Sequence, residues 1–296
     1  MQIVTDLGAD LSDEQTAGLN IHFVPFQITL QENTFLGGVD VDNQTFYKML
    51  ANTQAFPTTS QPSPGDFEKL YRKLAKTDPD ILSIHISSGL SGTSNSARMA
   101  AELVPEANVT ILDSKTLSCP LGWQVEAAAK ANRAGWSLEK IVKLVERISQ
   151  YTEGMFTLSD LKYLIHGGRI SHLKGLIASV LNIKPVIGVA KSDGKYIACG
   201  KGVTFTRAIQ RIVDCIVEKI PAGTPLRVQL LHGSNLEGVE LLRERLNQVY
   251  TCWYNKTVPV APVLGAHTGT SLVGLAVAPL EIFNIPELQI VPPAVG

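Results

Sequence analysis

Two stretches concentrate hydroxyl groups among helix-breaking residues. The first is Phe56-Pro57-Thr58-Thr59-Ser60-Gln61-Pro62-Ser63-Pro64; the second is Ser87-Ser88-Gly89-Leu90-Ser91-Gly92-Thr93-Ser94. Each follows an extended pattern and precedes a helical one. Helix N-termini carry unpaired backbone N–H groups and a partial positive charge, so added hydroxyls make a ready anion site. Neither stretch contains Lys or Arg. Neutral donors suit a single carboxylate with an apolar tail better than a nucleotide triphosphate. Leaving a buried polar group unpaired costs about 1–3 kcal/mol, so convergent hydroxyls have a physical purpose. Capping competes for the same residues. Ser63-Pro64-Gly65-Asp66 is a complete helix start, with a capping hydroxyl, proline at the first helical position and an acid three residues on. Ser91 is equally readable as an N-cap, and Thr58, Thr59 and Ser60 as turn formers.

Two further segments could bear chemistry. Gly167-Gly168-Arg169-Ile170-Ser171 pairs glycines, which permit close backbone approach, with a cation suited to carboxylate or phosphate. It reads equally as a helix junction with a solvated arginine. Gly265-Ala266-His267-Thr268-Gly269-Thr270 reads as a loop after Pro262, with a histidine between glycines. His22, His85, His166, His172 and His232 read as structural or solvated. Cys119, Cys199, Cys215 and Cys252 are scattered, with no Cys-x-x-Cys and no histidine at metal-ligand spacing.

Several chemistries lack their motif. Gly89-Leu90-Ser91-Gly92-Thr93 has threonine where a nucleophile elbow needs glycine, which counts against an acyl hydrolase or transferase using Ser91. Gly188 to Lys195 has five residues between its glycines, and Tyr196 stands where a P-loop needs Ser or Thr. No Gly-x-Gly-x-x-Gly follows a strand and no His-Glu-x-x-His occurs.

The elements that must position these groups follow from periodicity. Strands are expected at 2–5, 21–30, 80–87 and 109–112, and helices at 42–50, 63–75, 91–103, 121–133 and 138–150. That alternation predicts a mainly parallel α/β sheet in an N-terminal domain over 1–150. The texture then changes. Helical segments are expected at 157–165 and 171–181, and a hairpin turns at Ser192-Asp193-Gly194 between 184–190 and 196–199. A helix over 204–219, a strand over 226–231 and a capping box at Ser234-Asn235-Leu236-Glu237 follow. Strands near 257–260 and 272–278 complete a C-terminal α+β domain with a mixed sheet over 151–283, and 284–296 reads as a loose tail.

With 296 residues, two domains are expected. A net charge of −1 gives no electrostatic reason for nucleic acid or an anionic membrane, and no apolar run is long enough to span a bilayer. Gln2-Ile3-Val4-Thr5 reads as a strand, not as a signal peptide, so a cytoplasmic protein is expected.

Six segments occur in an order that resembles the DegV family: Thr59-Ser60-Gln61-Pro62-Ser63, Ser87 to Thr93, Leu112-Asp113-Ser114-Lys115, Gly167 to Ser171, Asn182-Ile183-Lys184-Pro185 and Gly265 to Gly269. Ile3-Val4-Thr5-Asp6 and Val39-Asp40-Val41-Asp42 also look like it, and the similarity spans about residues 1–283. The resemblance implies a two-domain protein that is not itself an enzyme, needs no cofactor and binds one long-chain fatty acid. Thr59 and Ser91 would hold the carboxylate, with Ser60 and Gly92 nearby, and the acyl chain would run into the apolar interior. Arg169 and His267 would lie at the pocket mouth. Some members of the family present the bound fatty acid to a separate ATP-dependent kinase, which makes an acyl phosphate. The absent nucleotide motif agrees with that division, and Arg169 would offset charge developing on the transferred group. The chain departs from the family pattern at Leu7, usually serine, and at Thr270-Ser271, commonly Pro-Gly. It departs again at Phe205-Thr206, where relatives are often more basic.

Overall fold

A computed structural model describes residues 1–173 and 183–291. The first half alternates strand and helix, as its pattern of short apolar runs and capped amphipathic segments requires. Strand β1 (Gln2–Asp6) leads through a short helix α1 (Asp13–Thr16) to β2 (Ile21–Val24), β3 (Gln27–Leu30) and β4 (Asn33–Leu36). Helix α2 (Asn43–Ala51) and strand β5 (Thr58–Ser60) precede α3 (Pro64–Ala75), β6 (Asp80–His85), α4 (Thr93–Glu102) and β7 (Asn108–Asp113). Helices α5 (Ser118–Arg133) and α6 (Leu138–Tyr151) follow. The continuous apolar runs of β1 and β6 are buried, as strands of a covered parallel sheet must be. They form a four-stranded parallel sheet in the order β2-β1-β6-β7.

The expected strand over 21–30 is two strands. Proline has no N–H to donate to a ladder. The chain breaks at Pro25 and Phe26, so β2 stays in the parallel sheet while β3 joins an antiparallel sheet in the order β4-β3-β5.

In the second half β8 (Glu153–Thr157) and α7 (Lys162–His166) lead to a single-turn 3-10 helix at Arg169–Leu173. The hairpin β9 (Lys184–Val189) and β10 (Tyr196–Gly202) turns at Asp193-Gly194, where Gly194 takes a φ of +68°. Then come α8 (Phe205–Val217), β11 (Leu226–His232), α9 (Leu236–Asn247), β12 (Cys252–Tyr254), β13 (Val258–Pro259), α10 (Pro262–Thr268) and β14 (Val273–Pro279). Seven strands form a mixed sheet ordered β10-β9-β8-β14-β11-β12, with β13 also on β11. The molecule is therefore an α/β fold with one parallel and one mixed sheet. Residues 2–113 supply the parallel sheet and residues 153–279 the mixed one.

Four expectations need correction. The helix expected over 157–165 is the shorter α7, and the interior strand Glu153–Thr157 between β14 and β9 was not expected. Its run Met155-Phe156 is too short for periodicity to tell strand from helix. The segment around His267 is helical, because Pro262 sits in its first turn and Gly269 (φ +73°) ends it. The cap of α9 is Asn235, one residue past the expected Ser234; its side chain accepts from Gly238 N at 2.9 Å. The segment from Asn284 is not loose as far as Val291: Leu288 and Ile290 are buried, and Lys130 Nζ donates to the Gln289 carbonyl at 3.0 Å. The expected helix over 171–181 lies largely on residues 174–182, outside the described ones.

One apolar cluster spans both halves, including Phe46, Trp123, Leu264 and Phe283. A buried polar network crosses it. Arg227 on β11 donates to Glu126 on α5 at 2.6 Å, Gln15 Nε2 donates to Glu126 at 2.9 Å, and Trp123 Nε1 donates to Gln229 at 2.8 Å. Among the described residues no helix is long and apolar enough to cross a membrane.

Candidate functional site

The two hydroxyl stretches meet residues of the second half around one cavity of about 290 Å³. Its polar lining is Thr59, Ser60, Gln61, Ser91, Arg169 and His267. Its apolar lining comes from Phe26, Ile86, Leu90, Leu117, Val263 and Leu264, with the ring of Tyr196. The sequence singled out Thr59, Ser60, Ser91, Arg169 and His267, and the fold brings all five together. Tyr196 and Gln61 carried no sequence signal beyond a strand pattern and a turn.

The setting of the hydroxyls differs from a pair of helix mouths. Thr59 lies within β5, paired with Ile28 of β3, and the cap of α3 is Ser63, which accepts from Asp66 N. The N-cap of α4 is Gly92, without a side-chain cap bond, so Ser91 is not the capping residue. Ser91 Oγ instead lies 2.8 Å from Thr93 Oγ1. Gly92 does not line the cavity. Its missing side chain makes room for Gln61, since a Cβ there would come within 2.8 Å of Gln61 Cδ. Gln61 Nε2 donates to Ser96 Oγ at 3.0 Å, which ties the β5 segment to α4.

His267 is buried within α10, not displayed at the cavity's outer rim. Its Nε2 lies 2.7 Å from Thr59 Oγ1. Burial pushes its pKa down to about 3, and the nearby Arg169 cation adds to the depression. The imidazole is therefore neutral near pH 7, with one donor and one acceptor nitrogen. Its Nδ1 is buried and has no hydrogen-bond partner among the described residues. Placing the proton on Nε2 leaves only a lone pair unpaired at Nδ1, which is the cheaper arrangement. His267 then donates to Thr59, and the Thr59 hydroxyl proton is left for a ligand. The start of α10 is held from the first half, where Ala261 N donates to Asp10 Oδ1 at 2.7 Å and Tyr47 OH donates to the Val260 carbonyl at 3.2 Å.

This burial has a pH consequence. Between pH 6.5 and about 3 the unfolded chain protonates His267 and the folded chain does not. Stability contributed by the neutral ring is thus full above pH 6.5 and is lost as pH falls, by up to about 1.4 kcal/mol per pH unit. His267→Gln is expected to flatten the pH dependence of the urea midpoint in that window. An unchanged slope would contradict a buried neutral ring.

Arg169 is half-buried, and burial lowers its pKa. Its Nη1 donates to the Gly167 carbonyl at 2.6 Å, and no carboxylate pairs with it among the described residues. A desolvated guanidinium beside two hydroxyls and a neutral histidine is complementary to an anion. No cluster able to hold a metal occurs among the described residues.

A Ser-His-Asp arrangement does exist, but elsewhere. Ser83 Oγ is 2.7 Å from His85 Nε2, and His85 Nδ1 is 3.0 Å from Asp6 Oδ2. All three are wholly buried, and Tyr71 OH closes the chain at 2.8 Å from Ser83. It is a structural polar chain within the first half, with no access for substrate.

Fold and site together define an α/β protein with a mixed polar and apolar cavity walled by residues of both halves of the chain. The chain belongs to the DegV family: the family model described as "Uncharacterised protein, DegV family" matches residues 1–280. A DegV domain-containing protein of Staphylococcus aureus is 35% identical over 275 residues, covering 93% of this chain and 97% of that one. Among solved structures, a DegV family protein from Thermus thermophilus described by its fatty acid binding superposes with a TM-score of 0.83 at 28% identity. The match covers 94% of this chain and 99% of that one. DegV of Bacillus subtilis, described as a fatty acid binding protein, gives a TM-score of 0.82 at 29% identity, with 94% and 98% covered.

Proposed function

We propose that this chain binds one long-chain fatty acid. The carboxylate is held by the hydroxyls of Thr59 and Ser91 and faces Arg169. The acyl chain lies against Phe26, Ile86, Leu117, Val263 and Leu264. The observation that carries this reading is the cavity itself: hydroxyls and an uncompensated guanidinium share one space with an apolar lining. An amphipathic monoanion satisfies both sets at once, whereas a hydrophilic anion would leave the apolar lining hydrated. The solved relatives described as fatty acid binding support the same ligand class.

The proposal extends to a partner and a place. The protein is a cytoplasmic subunit of two domains meeting near residue 150, and it presents the carboxylate to a separate ATP-dependent kinase that docks beside Arg169. There a carboxylate oxygen attacks the γ-phosphorus of ATP, the bond to ADP breaks, and an acyl phosphate forms. His267, being behind Thr59, serves by orienting that hydroxyl. A hydrolase reading with Ser91 as nucleophile lacks support among the described residues, since the side chain hydrogen-bonded to Ser91 is the Thr93 hydroxyl and not a general base.

Protein purified from a bacterial host is expected to carry about one fatty acid per chain, read by denaturing extraction and mass spectrometry. Delipidated protein that neither contains nor takes up fatty acid would overturn the reading. Ester turnover by the isolated chain, abolished by Ser91→Ala, would install the hydrolase in its place.

A further inference from the structure

The hairpin turn of the second half rests against the loop that carries Ser91, through a contact only glycine permits on each side. A Cβ on Gly194 would overlap Ser87 Oγ and fall 2.9 Å from Ser87 Cβ and 3.1 Å from Lys115 Cα. A Cβ on Gly89 would fall 2.5 Å from the Asp193 carbonyl oxygen and 2.9 Å from the Gly194 carbonyl group. Gly89 thus meets the backbone of the turn directly, and Gly194 meets the Ser87 side chain and the Lys115 backbone. The turn is itself well fixed. Gly194 N donates to the Ala190 carbonyl at 2.8 Å, Ala190 N donates to the Lys195 carbonyl at 2.9 Å, and Lys195 N donates to Asp193 Oδ1 at 3.1 Å. Lys191 is tied to Glu153 at 3.1 Å and donates to the Ser149 carbonyl at 3.1 Å.

Ser87 is the anchor of the opposing loop. Its hydroxyl accepts from Gly89 N at 3.1 Å, and its carbonyl accepts from Leu90 N and Ser91 N, each at 3.0 Å. Its own N–H donates to the Thr116 carbonyl at 2.8 Å. A push on Ser87 therefore reaches Ser91 through one backbone hydrogen bond. We infer that the Asp193-Gly194 turn is a positioning element for the carboxylate site: it is the stop that sets where the Ser91 hydroxyl stands. The inference rests on the fatty-acid reading of the cavity, and it assigns Gly194, Gly89 and Ser87 a role in ligand selection though none of the three lines that cavity.

The test compares palmitate with palmityl alcohol on the delipidated full chain, by displacement of a fluorescent fatty acid. Gly194→Ala is expected to lower palmitate affinity about tenfold, the worth of one displaced hydrogen bond to a charged group. Affinity for the alcohol should change much less, so headgroup discrimination falls. A merely structural lesion would weaken both ligands equally. Gly89→Ala makes the same collision from the other side, and decides the matter if Gly194→Ala fails to fold. Unchanged discrimination in the folded glycine variants would overturn the inference and leave the fatty-acid reading standing. A wild-type chain that binds neither ligand would overturn both.

Discussion

Glu126→Leu is expected to cost about 3–5 kcal/mol of folding stability, because it strands a buried guanidinium. Arg227 is completely buried between the rings of Trp123 and Phe283, whose centroids lie 4.4 and 4.5 Å from Cζ. Its Nη2 donates to Glu126, its Nε donates to Asn255 Oδ1 at 2.8 Å, and its Nη1 has no hydrogen-bond partner among the described residues. Burial alone would raise the Glu126 pKa. The charges of Arg227 and Lys130 beside it, with hydrogen bonds from Arg227 and Gln15, outweigh that and hold the carboxyl below the usual range. The pair is thus ionised, and each partner depends on the other. Replacing both by apolar residues of similar volume removes two desolvation penalties together. Glu126→Leu with Arg227→Met should therefore recover most of the loss. Urea unfolding at constant m-value reads both variants. A single variant within about 1 kcal/mol of wild type would show that the pair is solvated or dispensable. The pair joins α5 to β11, so the single variant should also loosen the cavity, whose walls come from both halves.

Thr59→Val with Ser91→Ala is expected to produce the largest loss of ligand affinity. Valine keeps the shape of threonine and removes the hydroxyl that His267 orients. Each hydrogen bond to a carboxylate contributes about 1.5–3 kcal/mol, so each single variant should bind palmitate about 10- to 100-fold more weakly. The double variant should lose more than either, though not the full product, since both hydroxyls address one carboxylate. Ser91→Ala should hardly change stability, whereas Thr59→Val strands the buried Nε2–H of His267 and should cost about 1–3 kcal/mol. Isothermal titration or fluorescence displacement measures the effect. A double variant with wild-type affinity would remove these two residues from the site and make Arg169 the next polar anchor to test.

Part of this site was legible in the residues alone. Ser63, Pro64 and Asp66 specify the start of α3 by local hydrogen bonds, and the observed capping box uses those atoms. Asp193-Gly194 specified its turn for the same kind of reason. Thr59 and Ser91 drew notice as hydroxyls left over once Ser63 was assigned to capping. Spacing makes their convergence plausible, and the family resemblance adds the assignment to Thr59 and Ser91.

Other features had no local signature. Met155 and Phe156 form a short apolar run whose strand state is fixed by its neighbours β9 and β14. The segment after Pro262 reads as a loop, yet Pro262 begins the helix that carries His267. Proline can do either, and only packing against the first half, through Asp10 and Tyr47, selects one.

The sequence by itself determined the alternation of strands and helices, the caps, the hairpin and the residue types available to meet an anion. These depend on interactions within a few residues, which periodicity and side-chain chemistry report directly. Tertiary structure alone decided that His267 stands behind Thr59, that Glu126 meets Arg227, and that a glycine turn abuts the Ser91 loop. The Thr59–His267 and Glu126–Arg227 pairs join residues 208 and 101 positions apart. Contacts at that range are set by how two sheets and their helices bury one core, and no local pattern encodes them.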